Sequence, residues 1–259
     1  MDNDLVRQFW TRIEDAVAAV PTVTRYRTPL VGFAAADDLL FQRMKQIIGE
    51  QALLPTDLLP EARSVVSWFV PFARPLVETN RQSSLVAREW AVAYIEANQL
   101  IDDIAQNLIR WLRETGVQAA TVPATHNFDV QTLTSRWSHK SVAYIAGLGT
   151  FGVHQMLITA QGTAGRFGSL VMSAAVPPTP RPTEEYCLHR QNGGCLVCVQ
   201  NCPVGALSSR EFDRQRCYQQ VLAVDAHFSD LGLCDVCGKC ALGPCALGVA
   251  REAKEDAVK

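Results

Sequence analysis

The chain has no cysteine before residue 187 and no surplus of either charge, with 24 Lys and Arg against 26 Asp and Glu in 259 residues. It also lacks any apolar run of the roughly 18 residues that a membrane helix needs. Each absence narrows the field. Nine cysteines, an odd number confined to the end of the chain, do not form a secreted disulfide framework, whose thiols are paired and spread. Balanced charge gives no whole-surface attraction for nucleic acid or anionic lipid, so neither is an expected partner. The opening residues MDNDLVRQFW carry acid where a secretory signal carries base, and Leu5, Val6, Phe9, Trp10, Ile13 and Val17 recur at helical spacing. An amphipathic helix, no membrane span and a cytoplasmic address are expected. What the chain has in quantity is apolar side chain, 48% of residues, enough for a sizeable core.

Residues 64–70 (SVVSWFV) predict a buried strand closed by Pro71, and residues 85–115 predict a long helix ended by Gly116. Residues 116–123 suggest a short strand. Residues 138–146 (SHKSVAYIA) predict a helix capped by Ser138, and 156–159 with 169–176 read as a hairpin around AQGTAGRFG. Pro177, Pro178, Pro180 and Pro182 make a stiff connector, because each ring fixes φ and removes a donor. This divides a segment 1–178 from a cysteine-rich segment 183–248, followed by a charged tail, 249–259.

Within AGLGTFG, Gly147, Gly149 and Gly152 spell G-x-G-x-x-G. A dinucleotide fingerprint follows a strand, opens a helix and has an acid about 20 residues later. Here a helix precedes the glycines, a strand follows, and no Asp or Glu occurs from Val153 to Thr183. The glycines therefore read as a helix stop followed by a strand start, or as a place where backbone approaches a flat ligand.

The cysteines form two runs. The first is Cys187, then Cys195-x2-Cys198-x3-Cys202-Pro203; the second is Cys234-x2-Cys237-x2-Cys240-x4-Cys245; Cys217 stands between them. Close thiolate spacing with a Cys-Pro is the pattern of two-cluster ferredoxins, in which one cysteine of each run serves the other cluster. Structural zinc is the alternative, although its paired knuckles stand closer together than Cys198 and Cys237 and it leaves Cys-Pro unexplained. Two [4Fe-4S] clusters need eight ligands. Spacing assigns Cys187, Cys195, Cys198 and Cys245 to one, and Cys202, Cys217, Cys237 and Cys240 to the other. Cys234 is then left over, and Cys187, far from Cys195, is the other candidate for that place.

The helix and loop SHKSVAYIAGLGTFG, the strands MLIT and GSLVMSAAV, and CLVCVQNCPVGA with its later RC together resemble the epoxyqueuosine reductases over about residues 60–248. The resemblance, which extends to reductive dehalogenases, implies an α+β chain: a nitroreductase-like N-terminal domain and a C-terminal ferredoxin-like domain with two [4Fe-4S] clusters. It implies an oxidoreductase passing low-potential electrons from a ferredoxin- or flavodoxin-type donor to a cobalamin-type corrinoid, for reduction of a small-molecule substrate. The corrinoid would lie against Gly147, Leu148, Gly149 and Gly152, with His139, His154 and Arg166 as further contacts. Lys140 and Tyr144 are the candidates to act on substrate. The plainer readings are a strand-edge His154, a solvated turn for Arg166 and a core Tyr144. A noncatalytic electron carrier or corrinoid-reducing partner, and an FMN-dependent reductase on the same fold, are the other functional readings. The chain departs from the family in three respects. Asn192 stands where a cysteine is usual, Thr132, Leu133, Thr134 and Ser135 offer no carboxylate where the family has its acid, and helical repeats for tRNA are lacking. Epoxyqueuosine is therefore not the expected substrate, and short iron–sulfur proteins with the GLGTFG loop are the nearer match.

Overall fold

The apolar stripe near the N-terminus forms α1 (Asp2–Ala19), which lays Phe9, Ile13 and Val17 on the core. The structure, a computed structural model, describes residues 2–251; most of the charged tail lies outside the described residues. After α1 come β1 (Leu30–Ala35), α2 (Leu39–Ile48), α3 (Pro55–Leu58) and β2 (Ser64–Pro71). Then follow α4 (Arg74–Gln82), α5 (Arg88–Glu114), β3 (Ala119–Ala120), β4 (Phe128–Asp129) and β5 (Thr134–Ser135). The glycine loop lies among α6 (His139–Ile145), β6 (Gly149–Phe151), β7 (Leu157–Thr159) and β8 (Gly165–Met172). The cysteine-rich part holds α7 (Leu188–Asn192), α8 (Val197–Gln200), α9 (Arg214–His227) and a 3-10 turn, Lys239–Leu242.

The main sheet is antiparallel throughout, in the order β1-β2-β8-β3. Every residue of β2 is buried, because both faces of the sheet are covered. Val66, Trp68 and Val70 face α1 and α5, while Val65 joins Phe41, Trp137, Val142 and Ile145 on the other side, following the two-residue alternation of a strand. Truncating an inward side chain such as Phe9 or Trp68 removes contacts worth about 3–5 kcal/mol.

The expected strand at 64–70 and helix at 85–115 are present, the helix starting at Arg88 and stopping at Glu114 before Gly116, whose φ is +78°. The strand at 116–123 shrinks to two residues. The hairpin around AQGTAGRFG is corrected. β7 pairs with β6, whereas β8 pairs with β2 and β3, so the two strands belong to different sheets. The reason is burial: from Phe167 to Met172 β8 has no exposed side, which suits a central strand rather than a hairpin arm.

The cysteine-rich segment packs directly on the first. Val224, Phe228, Cys234, Leu242 and Ala246 share one apolar cluster with Phe72, Val77, Trp90 and Tyr94. Thr163 and Ala164 donate backbone N–H groups to Ala246 O, and Arg27 bonds Gln161 O and Leu247 O. The proline connector runs along β1, with Thr179 N–H donating to Phe33 O at 2.9 Å and Phe33 N–H to Thr179 Oγ1 at 3.0 Å. Among the described residues, no helix is long and apolar enough to cross a membrane.

Candidate functional site: the thiol groups and their cavity

All nine cysteines are free thiols, and eight of them sort into two groups. Burial pushes Cys245 up to about 12, helped by the like charges of Cys187, Cys198 and Cys195; Cys198 is raised by burial and then by Cys187 and Cys195. These four lie within electrostatic reach of one another. Cys217 is pushed up to about 11 by burial and then by Cys237 and Cys202, and Cys240 is raised further by burial and then by Cys237, Cys217, Cys198 and Cys202. The second four therefore also converge, and Cys198 and Cys240 bring the groups side by side. Cys234 stands apart: it is fully buried among Val224, Phe228 and Leu242, its N–H donates to Asp225 Oδ1, and its charged neighbours are Asp225, Asp235 and Asp230. Among the described residues no three Cys, His, Asp or Glu side chains are grouped to hold one metal ion as they stand.

Cys202, Cys217, Cys237 and Cys240 open onto a cavity of about 240 Å³. Lys140, His154 and Met156 line it, as do Trp90, Tyr94, Thr163, Arg166 and Asp235. α6 delivers Lys140, whose Nζ donates to Gln155 O at 2.9 Å; burial lowers its pKa while the Cys240 and Cys217 thiols oppose that shift. Ser138 caps this helix by accepting from Ser141 N–H, and Gly147, at φ +79°, ends it.

Arg166 is not in a turn: it lies on β8, its guanidinium 4.6 Å over the Tyr94 ring, with Nη2 donating to Asn98 Oδ1 at 2.6 Å. Tyr94 Oη donates to Asp235 Oδ1 at 2.5 Å, and His126 Nε2 approaches the same oxygen at 3.4 Å. Thr163 Oγ1 is buried without a hydrogen-bond partner. Tyr94, Asp235, His126 and Thr163 escaped sequence reasoning, since none lies in a motif. The one available signal was Tyr94 on the buried stripe of a long helix, where an apolar residue is the default.

The other expected site residues are placed differently. Tyr144, one turn beyond Lys140 on the same face of α6, is not on the cavity wall but exposed, against Phe151. His139 is a core residue. Trp137 Nε1–H donates to Ser169 Oγ at 3.0 Å, Ser169 Oγ–H to His139 Nδ1 at 2.8 Å, and His139 Nε2–H to the Pro123 carbonyl at 3.1 Å. Burial depresses its pKa to about 4, keeping the ring neutral.

His154 is no strand-edge residue but sits buried in the turn between β6 and β7, also depressed to about 4, by burial first and then by Lys140 and Arg190. Leu148 packs with Phe69, Ala143, Leu157 and Phe167. The loop glycines are enclosed by protein: a Cβ at Gly147 would meet Thr179 O and Pro180 O within 2.9 Å, one at Gly149 the Ile158 carbonyl at 1.9 Å, and one at Gly152 the His154 ring at 2.6 Å.

A doubly covered antiparallel sheet with a cysteine-rich segment folded onto it defines a mixed α+β protein whose fold is shared with known reductases. The structure of epoxyqueuosine reductase from Bacillus subtilis matches it with a TM-score of 0.63 at 17% identity, over 97% of this chain and 68% of that one. A catabolic reductive dehalogenase matches with a TM-score of 0.54 at 16% identity, over 86% and 30%. In sequence the chain is 24% identical over 213 residues to the epoxyqueuosine reductase of Bacillus cereus, covering 72% of this chain and 51% of that protein. It is 26% identical over 186 residues to that of Salmonella typhimurium, covering 67% and 45%. The chain spans about half the length of these two relatives. No family model matches. In sequence it is thus similar to epoxyqueuosine reductases, and it shares its fold with them and with a reductive dehalogenase.

Proposed function

We propose that the chain is an iron–sulfur oxidoreductase of reductive reactions, in which Cys187, Cys195, Cys198 and Cys245 hold one [4Fe-4S] cluster and Cys202, Cys217, Cys237 and Cys240 the other. The ligands lie in a ferredoxin-like segment, 183–248, appended to a nitroreductase-like one, 1–178. The sorting of the thiols carries this reading: two groups of four within electrostatic reach, in which burial and neighbouring like charge raise Cys198, Cys217, Cys237, Cys240 and Cys245, with Cys234 apart. Unligated, such an arrangement opposes thiolate formation; bound iron reverses the sign of the local field and makes each thiolate favourable. Clusters of this type supply one-electron steps at low potential, fed by a ferredoxin- or flavodoxin-type donor.

The chain's own residues suit a reduction beside the second group. Lys140 sets its amino group within electrostatic reach of Cys240 and Cys217, where its protonated form would lower the cost of added negative charge. Tyr94 keeps a hydroxyl on the cavity wall, tied to Asp235 and through it to the half-exposed His126. These groups point to a small polar acceptor. The glycine loop itself does not favour the corrinoid contact that the resemblance implies there: on their Cβ sides Gly147, Gly149 and Gly152 are closed by backbone and by His154. The cavity beside the second group, at about 240 Å³, is smaller than the roughly 300–1,000 Å³ of usual ligand pockets. That small volume favours, as a second reading, an electron carrier that docks its acceptor outside.

Anaerobic reconstitution tests the proposal. About eight irons per chain are expected, four for each cluster, with Cys234→Ser retaining them and Cys217→Ser falling toward four. Zinc without iron, or iron loss in Cys234→Ser with Cys187→Ser intact, refutes it. Titration with hydroxocobalamin or FMN, read by absorbance, separates the acceptors: tight binding of either refutes the small-acceptor assignment.

A further inference from the structure

We infer that His154 is a tuning residue that raises the reduction potential of the cluster at Cys187, Cys195, Cys198 and Cys245 by donating a hydrogen bond from Nε2–H to the sulfur of Cys245. This rests on the cluster reading above. The donor is identified by geometry. Met156 N–H donates to His154 Nδ1 at 3.1 Å, so Nδ1 carries no proton and the ring's proton is on Nε2. Nε2 stands 3.4 Å from Cys245 Sγ, and the residue is 4% exposed, out of reach of competing water.

Gly152 explains how the ring is held. With no side chain there, the imidazole lies against the Gly152 Cα, where a Cβ would come within 2.6 Å of Cε1 and 2.8 Å of Nε2. The last glycine of G-x-G-x-x-G is thus the seat of a histidine. Among the described residues this is the one side-chain hydrogen bond to a thiol of either group; the second group receives a backbone donor, Ala206 N–H to Cys202 Sγ at 3.2 Å.

An N–H dipole aimed at a ligand sulfur stabilises the more negative, reduced cluster. His154 also lines the cavity shared with Cys202, Cys217 and Cys240, so it stands between the two groups and biases which cluster holds the electron.

The test is an EPR-monitored redox titration of the anaerobically reconstituted full chain as wild type, His154→Leu and His154→Gln. In His154→Leu, the reduced-to-oxidised ratio of one cluster at fixed poise should fall about tenfold, the equivalent of one hydrogen bond to a charged group, while the other cluster is unmoved. His154→Gln, which keeps an N–H, should recover part of the shift. If the Leu variant does not fold, wild type carrying 15N-histidine answers alone: ENDOR should show a weakly coupled 15N on a reduced cluster, and in His154→Gln that signal should vanish. Wild type with about eight irons, but with potentials unmoved in the Leu variant or no histidine coupling, overturns the role of His154 only. Wild type without iron overturns the cluster reading and this inference with it.

Discussion

His139 gives the fold a dependence on pH whose size follows from its hydrogen bonds. Its Nε2–H is given to the Pro123 carbonyl and its Nδ1 accepts from Ser169, which in turn accepts from Trp137; a second ring proton would place two donors face to face in a dry core. Burial accordingly depresses its pKa from 6.5 to about 4. The unfolded chain binds a proton here as pH falls through 6.5, and the folded chain does not until about 4, so stability is lost across that window as the solution is acidified. Each unit corresponds to about 1.4 kcal/mol, and at about pH 5 the accumulated loss is about 2 kcal/mol. Urea unfolding of wild type and His139→Gln, at about pH 7.5 and about pH 5, isolates this contribution because every other titrating group is common to both proteins. The variant should be less stable at the higher pH, and the gap should narrow by about 2 kcal/mol at the lower one. A gap that does not change with pH would refute the neutral, fully partnered His139.

Four substitutions test the rest of the site. Gly149→Ala puts a Cβ on the Ile158 carbonyl, with backbone on both sides, and should cost about 1–3 kcal/mol or more by thermal unfolding; an unchanged Tm would show that β6 and β7 are not paired as described. Lys140→Met removes the cation beside Cys240 and Cys217 and should lower the midpoint potential of that cluster alone, read by redox titration; a shift confined to the other cluster would contradict the placement. Tyr144→Phe should leave stability and any reductase turnover unchanged, since its hydroxyl is at the surface. Tyr94→Phe strips Asp235 of a buried donor and should cost about 1–3 kcal/mol in urea unfolding; equal behaviour of the two tyrosines would refute the distinction.

The helices and the fully buried strand were legible in the sequence because their signals are local: Ser138 before an apolar stripe, Gly116 and Gly147 after one, and seven apolar or small residues ahead of Pro71. Strand pairing was not, because partners are set by which surfaces the rest of the chain covers. β8 is drawn between β2 and β3 by burial on both faces, and the nearer β7 is left to β6. The thiol spacing foreshadowed the two groups, since four ligands on short loops have few ways to converge. Lys140 reaches the cavity while Tyr144, one turn further along the same face of α6, does not, and where along a helix a cavity ends is set by the distant segments that wall it. Tyr94, Asn98, Arg166 and Asp235 come from three distant stretches, and no spacing rule connects them.

The connector has a consequence for the molecule's neighbours. β1 is the outermost strand on its side of the sheet, and such a strand would offer open backbone donors and acceptors to any extended chain. Thr179 takes up both hydrogen-bonding groups of Phe33, and the residues flanking it are prolines, which have no N–H to pass the ladder onward. The segment that leads to the cysteines therefore also seals the sheet, and a chain cut between Pro178 and Pro182 should become prone to self-association through β1.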